Sequence, residues 1–146
     1  MTLCYLAIAV CLTFFLAWAY FTAQRLNRLH IRVDTARNNL GAALDRRAVV
    51  AQALVPQAAR EAETALARPL EVNNFEQRSQ AERALLAAIS GQTHPLLVDA
   101  SARVQLAHRF YNDAVTDTRA LRTRPLVRIF RLGGTARLPE YYELPS

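Results

Sequence analysis

The stretch TLCYLAIAVCLTFFLAWAYFTA, residues 2–23, contains no charged side chain and is mostly apolar. As a helix it would be about 33 Å long, enough to cross a hydrocarbon core of about 30 Å. Trp18, Tyr20 and Phe21 cluster near its C-terminal end, and aromatic side chains favour the membrane–water interface. The segment therefore predicts a transmembrane anchor over residues 1–24.

A cleaved signal peptide is the alternative interpretation of this segment. Ala17, Trp18 and Ala19 resemble a cleavage site flanked by small residues. However, no basic residue precedes the apolar run, and the bulky Tyr20 and Phe21 continue it past that site. Both features favour an anchor that is retained.

The charges that follow the anchor predict its orientation. Arg25, Arg28, Arg32 and Arg37 come directly after it, and Asp34 is the one acid among them. The positive-inside rule places such a flank in the cytoplasm, where arginines also contact anionic lipid headgroups. We therefore expect a single-pass protein of the inner (plasma) membrane with its N-terminus outside and its domain in the cytoplasm. The predicted membrane-interface residues are Trp18, Tyr20, Phe21, Arg25, Arg28 and Arg32.

Residues 25–124 are predicted as a helical domain because apolar side chains recur at alternating intervals of three and four residues. One such seam runs through residues 26–54 with a basic interruption at Arg47, and a second runs through residues 97–121. The two seams should pack together as antiparallel helices, or one of them should bind a partner helix. The predicted seam residues are Leu26, Leu29, Val33, Leu40, Val104, Tyr111, Asn112 and Asp113.

Proline, glycine and capping residues predict where the helices begin and end. One helix should run without a break from the anchor to Pro56, which either kinks or ends it. Asn74 and Gln77 resemble a capping box at the start of a helix that should end near Gly91. Pro95 suits the first turn of the last long helix.

The C-terminal part carries weaker signals. Pro125 should end the long helix predicted over residues 96–122, and residues 125–146 are predicted as an irregular tail. Apolar and basic residues over 126–132 suit either a short amphipathic turn packed on the domain or an element that touches the membrane. The predicted fold class is therefore all-α, with one N-terminal transmembrane helix continuing into an antiparallel three- or four-helix bundle.

The charge composition favours some functions over others. The chain contains 18 arginines and no lysine, against 12 acidic residues, and its formal net charge is +6. A GC-rich codon bias and phosphate recognition by arginine are compatible explanations. The arginines are interleaved with acids, and neither an aromatic stacking platform nor a helix-turn-helix pattern accompanies them, so we expect no nucleic-acid partner.

Patterns typical of catalysis or metal binding do not occur in the sequence. His30, His94 and His108 have no clustered ligands at metal-binding spacing, apart from Asp34 beside His30. No serine lies in a Gly-x-Ser-x-Gly motif, and neither a P-loop nor a Gly-x-Gly-x-x-Gly fingerprint is present. We therefore expect no enzyme activity, no cofactor and no metal.

Two stretches carry a family resemblance: RLNRLHIRVDTARNNLGAALDRRAVVAQAL, residues 25–54, and RVQLAHRFYNDAVTDTRAL, residues 103–121. The segment RFYNDAV, residues 109–115, resembles the R-x-Y-N-D-A-V signature of the LemA family of bacterial membrane-anchored proteins. The first stretch, with its Arg46-Arg47 step, and the Pro-x-Tyr-Tyr-Glu near the C-terminus also resemble that family. The resemblance implies a helical bundle behind one N-terminal span, without an established catalytic activity. Residues 57–90 are shorter than the family's central helices, which leaves three or four helices open.

The expected function is that of a non-enzymatic, membrane-anchored accessory or scaffold protein that binds other membrane proteins. One version is an accessory subunit of a respiratory or other membrane complex. The alternatives are binding to anionic lipid surfaces, self-assembly as a homo-oligomer, and an enzyme of unrecognised type. For Tyr111, Asn112 and Asp113 we favour a structural role, in which polar side chains beside a buried tyrosine tie helices together.

Overall fold

The computed structural model describes residues 1–145; Ser146, the last residue of the predicted tail, lies outside the described residues. The described chain contains helices and no strand, so the all-α prediction is confirmed for it. Its five α-helices are α1 (Thr2–Leu54), α2 (Ala59–Leu66), α3 (Phe75–Ala88), α4 (Pro95–Arg122) and α5 (Pro125–Ile129).

The first helix, α1, runs without a break for 53 residues, as the sequence predicts. It is about 80 Å long at about 1.5 Å per residue. The helix ends at Leu54, and the backbone angles of the next residue, Val55, φ −123° and ψ 89°, lie outside the helical region. Pro56 then opens a 3-10 turn over Pro56–Ala58. A proline ring disfavours helical geometry in the residue before it, so Pro56 ends α1 instead of kinking it.

The N-terminal half of α1 makes few contacts with the rest of the protein. Its most apolar 18-residue window has a mean hydropathy of 2.1 and is 0% buried, and the first buried side chain of the helix is Leu26. The helix is long and apolar enough to cross a membrane, a test that signal sequences and core helices of soluble proteins also meet. The exposed surface over most of residues 2–23 is thus compatible with a single membrane pass.

The C-terminal half of α1 packs against α4. Leu26 and Leu121 share one apolar cluster, and Leu40 and Val104 share the next. Because residue numbers rise along α1 as they fall along α4, the two helices are antiparallel. The two seams that the sequence predicts therefore contact each other within one chain.

The far end of α1 is covered by α2 and α3, which have 8 and 14 residues. The contact surface is rich in alanine. Six buried alanines pack there in one cluster with Val55, Leu85, Ile89 and Leu97. Small side chains allow helix axes to approach closely, and the central segment of the chain is thereby held on α1 as two short helices.

Helix starts follow the predictions more closely than helix ends. α3 follows Asn74, although the Asn74 side chain makes no capping bond to the described residues. It ends three residues before Gly91, which lies in the following turn with φ +81°. α4 begins at Pro95, and Nδ1 of His94 accepts a hydrogen bond from the backbone N–H of Leu96 at 3.2 Å.

The tail that the sequence predicts as irregular contains regular structure. Pro125 occupies the first position of α5, where its missing N–H leaves no helical hydrogen bond unmade. Further on, residues 139–142 lie along α4, and Tyr142 is buried. Pro125 is therefore the start of a helix as well as a signal for the end of the previous one.

The α1–α4 contact gives a stability prediction. Leu40 is 0% exposed in this contact, so we expect Leu40→Ala to lower the free energy of unfolding by about 2–5 kcal/mol. Urea titration of the full-length protein in mild detergent, followed by circular dichroism, measures the change. Leu106→Ala is the matched control because Leu106 is 54% exposed on α4. Equal losses in the two variants would contradict the packing described here.

Candidate functional site

Five of the six predicted membrane-interface residues lie on the apolar half of α1 or just beyond it. Trp18, Tyr20 and Phe21 are exposed by 39%, 60% and 70%. Arg25 and Arg28 follow them, are exposed, and make no ion pair within residues 1–145. Aromatic and cationic side chains in this order present an apolar surface beside a basic one.

Arg32, the sixth predicted interface residue, contacts the domain. Its Nη1 donates to Oδ2 of Asp117 on α4 at 2.9 Å. Both side chains are 53% exposed, so the ion pair contributes about 1 kcal/mol at most. Arg32 also lies about 10 Å along α1 from Arg25. It therefore belongs to the α1–α4 contact more than to the flank of the apolar segment.

The short helix α5 lies beside the apolar part of α1. Val127 is buried in the cluster that contains Leu26 and Leu121. The ring of Phe130 packs edge-on against Phe15, with ring centroids 4.9 Å apart. Of the two alternatives that the sequence left open for residues 126–132, packing on the domain is therefore observed for part of the segment.

A cleft of about 330 Å³ separates α1 from α5. Its α1 wall is formed by Trp18, Thr22 and Arg25. The opposite wall comes from the end of α4 and from α5. That wall consists of Leu121, Arg124, Pro125, Leu126 and Val127. The cleft thus combines an aromatic ring, aliphatic side chains, a hydroxyl and two guanidinium groups.

The Tyr-Asn-Asp segment of α4 holds the C-terminal tail. Tyr111 donates its hydroxyl to the backbone carbonyl of Glu140 at 2.6 Å. Oδ1 of Asn112 accepts from the backbone N–H of Tyr142 at 3.3 Å, and Nε2 of His108 lies 2.7 Å from the Tyr142 carbonyl oxygen. These polar side chains therefore tie a helix to an extended segment, whereas the sequence interpretation expected ties between helices.

Asp113 does not belong to the seam in which it was placed. It is exposed on α4 and makes no hydrogen bond or ion pair with the described residues. The reason is helical geometry: residues two apart on a helix point about 200° apart, so Asp113 faces away from the buried Tyr111. The remaining seam residues, apart from Leu29 and Asn112, are buried.

An aromatic cluster underlies the docked tail. Phe75 of α3 packs edge-on against Tyr111 and Tyr142, at centroid distances of 6.1 and 5.3 Å. Burial raises the pKa of Tyr111 and the pKa of Tyr142 to about 12 each. Because both pKa values exceed the ordinary value near 10, this contribution to stability is complete below about pH 10 and is lost as the pH rises towards 12.

A buried ionic network joins α1 to α3. Nη2 of Arg47 donates to Oε2 of Glu82 at 2.6 Å, and Nε of Arg78 donates to the other carboxylate oxygen at 2.9 Å. Arg47, Arg78 and Glu82 are 2%, 0% and 0% exposed. Nη1 of Arg78 also contacts Asp45 and the backbone carbonyl of Arg68, both at 2.8 Å. Two arginines are thereby matched by one buried and one half-exposed carboxylate.

This network was not predicted from the sequence. Arg47 was interpreted as an interruption of the apolar seam, although it occupies a seam position and is as buried as its apolar neighbours. The available signal was the i, i+4 pair of Arg78 and Glu82 on α3, because a carboxylate so placed can face a cation on another helix. In this chain the arginine within the seam is matched by a buried carboxylate 35 residues away.

The α1–α4 pair has a second, uncovered side. α3 and the tail cover one side, and a groove of about 550 Å³ opens on the other. Alanines form much of its floor, and Leu106 and Phe110 stand beside them, exposed by 54% and 56%. The lining residues are Arg32, Thr35, Ala36, Asn39, Ala43, Arg103, Leu106, Ala107 and Phe110.

The histidines and acids do not assemble into a metal centre within residues 1–145, where no group of three or more potential ligands converges. Nδ1 of His30 lies 2.8 Å from the Leu26 carbonyl oxygen, and its Nε2 lies 3.3 Å from Nη1 of Arg122. Asp34, which the sequence placed beside His30, pairs with Arg37 at 3.3 Å. His30 and Asp34 therefore contact other protein groups and do not form a pair with each other among the described residues.

The ionic network predicts that a single substitution at its shared carboxylate will lower the stability of the protein strongly. Glu82→Gln leaves Arg47 and Arg78 buried without their shared carboxylate, so we expect a loss of about 3–5 kcal/mol in the free energy of unfolding. Glu63→Gln on α2 is the control, since Glu63 is exposed and makes no ion pair within the described residues. Urea titrations of both variants test this, and similar midpoints for the two would show that the network is dispensable.

The two buried tyrosines form a matched pair for a second test. Tyr111→Phe removes a hydrogen bond to Glu140 and should lower the free energy of unfolding by about 0.5–1.5 kcal/mol. The hydroxyl of Tyr142 is buried without a hydrogen-bond partner among residues 1–145, so Tyr142→Phe should have no cost or should stabilise. Thermal or urea unfolding distinguishes the variants, and a larger loss for Tyr142→Phe would refute this assignment of the hydrogen bonds.

Compared with protein-family models, curated proteins and solved structures, the chain matches none of them. The resemblance to the LemA family therefore stays a prediction that depends on the residues quoted for it, and the site is interpreted from its own geometry.

Proposed function

We propose that this chain is a non-enzymatic, single-pass membrane protein that binds other membrane proteins as an accessory or scaffold subunit. The observation that carries the proposal is the uncovered apolar groove between α1 and α4. α1 continues from the apolar segment into this groove without a break. A partner helix bound there would be held at a fixed height above the membrane.

The groove has the chemistry of a helix-binding surface. Alanine side chains leave room on its floor, while Leu106 and Phe110 present more than half of their surface to solvent. Amphipathic helices bind such grooves through apolar side chains at intervals of three and four residues. Arg32 and Arg103 also line the groove, each paired at 2.9 Å with an aspartate of the chain, Asp117 and Asp99, so apolar contact contributes most of the proposed binding.

The proposed location follows from the charges next to the apolar segment. Arg25 and Arg28 immediately follow the uncharged residues, so the positive-inside rule supports an outer N-terminus and a cytoplasmic domain in the inner membrane. The host would be a complex within the same membrane, of which a respiratory complex is one example. The LemA resemblance is in line with this arrangement, because it implies a helical domain behind one span.

The test compares two charge insertions on the same helix. Phe110→Glu places a carboxylate in the groove, and Val98→Glu places one at a site that is equally exposed, 55%, but outside the groove. We expect co-purification of membrane-protein partners, after gentle solubilisation of native membranes, to fall about tenfold for Phe110→Glu and to persist for Val98→Glu. A photo-crosslinker at residue 106 should attach to the same partners.

Three results would count against this function. Wild-type protein that migrates only as a free monomer has no partner. Partners retained by Phe110→Glu do not use the groove. Crosslinks only to further copies of the chain would replace the scaffold proposal with self-assembly.

A further inference from the structure

The end of the domain next to the apolar segment carries an unusual concentration of positive charge. Residues 118–139 contain six arginines and no acid. Arg124, Arg128 and Arg131 lie on or next to α5, and none of them makes an ion pair within the described chain. Arg25 on α1 has no ion pair there either. Four guanidinium groups at one end of the domain therefore have no protein anion to neutralise them.

The same helix exposes apolar side chains. Leu126, Ile129 and Phe130 are 54%, 69% and 49% exposed, while Val127 between them is buried against α1 and α4. A five-residue helix thus uses one side to pack on the domain and leaves an apolar side uncovered. Arginines flank that apolar side, a combination typical of segments that lie in a membrane interface.

The height of α5 along α1 fits this placement. Phe130 packs on Phe15, which precedes Arg25 by ten residues, or about 15 Å along the helix axis. The start of α5 is nearer to Arg25, because Val127 packs with Leu26, whereas the Phe130 ring on Phe15 would lie deeper, among the acyl chains. This step depends on the membrane anchor of the proposed function, and it does not depend on the groove.

The turn after α5 keeps an arginine in a strained conformation. Arg131 has φ +49°, a region that favours glycine. The Leu132 N–H bonds the Val127 carbonyl at 3.1 Å, and the Arg131 N–H bonds the Arg128 carbonyl at 3.3 Å, so the helix ends in a Schellman motif. Glycine would fit this position without strain, whereas here a further cation follows α5.

We propose that the cleft between α1 and α5 binds the headgroup of an anionic phospholipid. Arg25 and Arg124 contact the phosphate, since guanidinium groups bind phosphate oxygens through paired N–H donors. The hydroxyl of Thr22 is available as a further donor. Trp18 and Leu126 contact the glycerol and the first acyl carbons. α5 is inserted as a second membrane contact, in addition to α1.

The headgroup site is tested by native mass spectrometry of the full-length protein in mild detergent with an equimolar mixture of phosphatidylglycerol and phosphatidylcholine. We expect wild type to retain phosphatidylglycerol preferentially and Arg25→Gln/Arg124→Gln to lose that preference by roughly tenfold. Arg60→Gln/Arg83→Gln is the charge-matched control, because both residues are exposed on the distal helices without ion pairs in the described chain. Circular dichroism verifies that both variants are folded.

Three outcomes of this experiment overturn the proposal. If the wild-type protein retains phosphatidylglycerol and phosphatidylcholine equally, it has no anionic-lipid site. Equal losses in both double variants indicate a general effect of net charge. Competition by inorganic phosphate at concentrations equal to those of the lipid would identify a site for free phosphate instead of a lipid.

The insertion of α5 has its own measurement in liposomes. In a Trp18→Phe background, Ile129→Trp should be quenched by brominated phospholipid, whereas Val49→Trp, on the distal part of α1, should not. Equal quenching, or none at residue 129, would overturn the insertion. Extraction of native membranes with alkaline carbonate reports separately on the anchor. Release of the protein would refute the membrane anchor of the proposed function itself. Retention of the protein with no quenching at residue 129 would refute only the insertion of α5.

Discussion

The arrangement of the whole protein depends on the continuity of α1. The uncharged residues of α1 pass directly into its seam, with the first buried side chain at Leu26 and no proline before Pro56. The helices α2, α3 and α4 pack on the second half of α1, directly or through a neighbour, and α5 packs near the junction of its two halves. The apolar segment and the domain are therefore parts of one helix, and no hinge separates them.

The two ends of the domain are held by different physical forces. Near the apolar segment, large side chains such as Leu26 and Leu121 interlock. At the far end, alanine-rich surfaces of α1, α2 and α3 touch, and such smooth surfaces have little preference for one register over another. The buried contact of Arg47 with Glu82 and Arg78 supplies this preference, because displacing α3 would leave charges unpaired.

Local patterns predicted the elements that depend on local contacts, and failed where the partner is distant in sequence. The length of α1 and the start of α4 follow from spacing and proline, and α3 begins after Asn74 as predicted, although the Asn74 side chain makes no capping bond to the described residues. Arg47 was misinterpreted because its partner lies 35 residues away, on a helix whose position the spacing does not reveal. Tyr111 was correctly predicted as buried, but its acceptor, the carbonyl of Glu140, belongs to a tail with no periodicity to interpret. The groove and the cleft were likewise inaccessible, since they arise between helices.

A helix without a hinge turns small rotations into large displacements. Leu54 lies 29 residues beyond Arg25, or about 43 Å along the axis. With the apolar end in a bilayer, a tilt of about 20° would carry the far end of the domain sideways by about 15 Å. An apolar segment longer than the hydrocarbon core can tilt to fit it, and such a tilt in a thinner bilayer would move α2 and α3 laterally over the membrane surface. The lateral distance that the domain reaches from its anchor would then depend on the surrounding lipid.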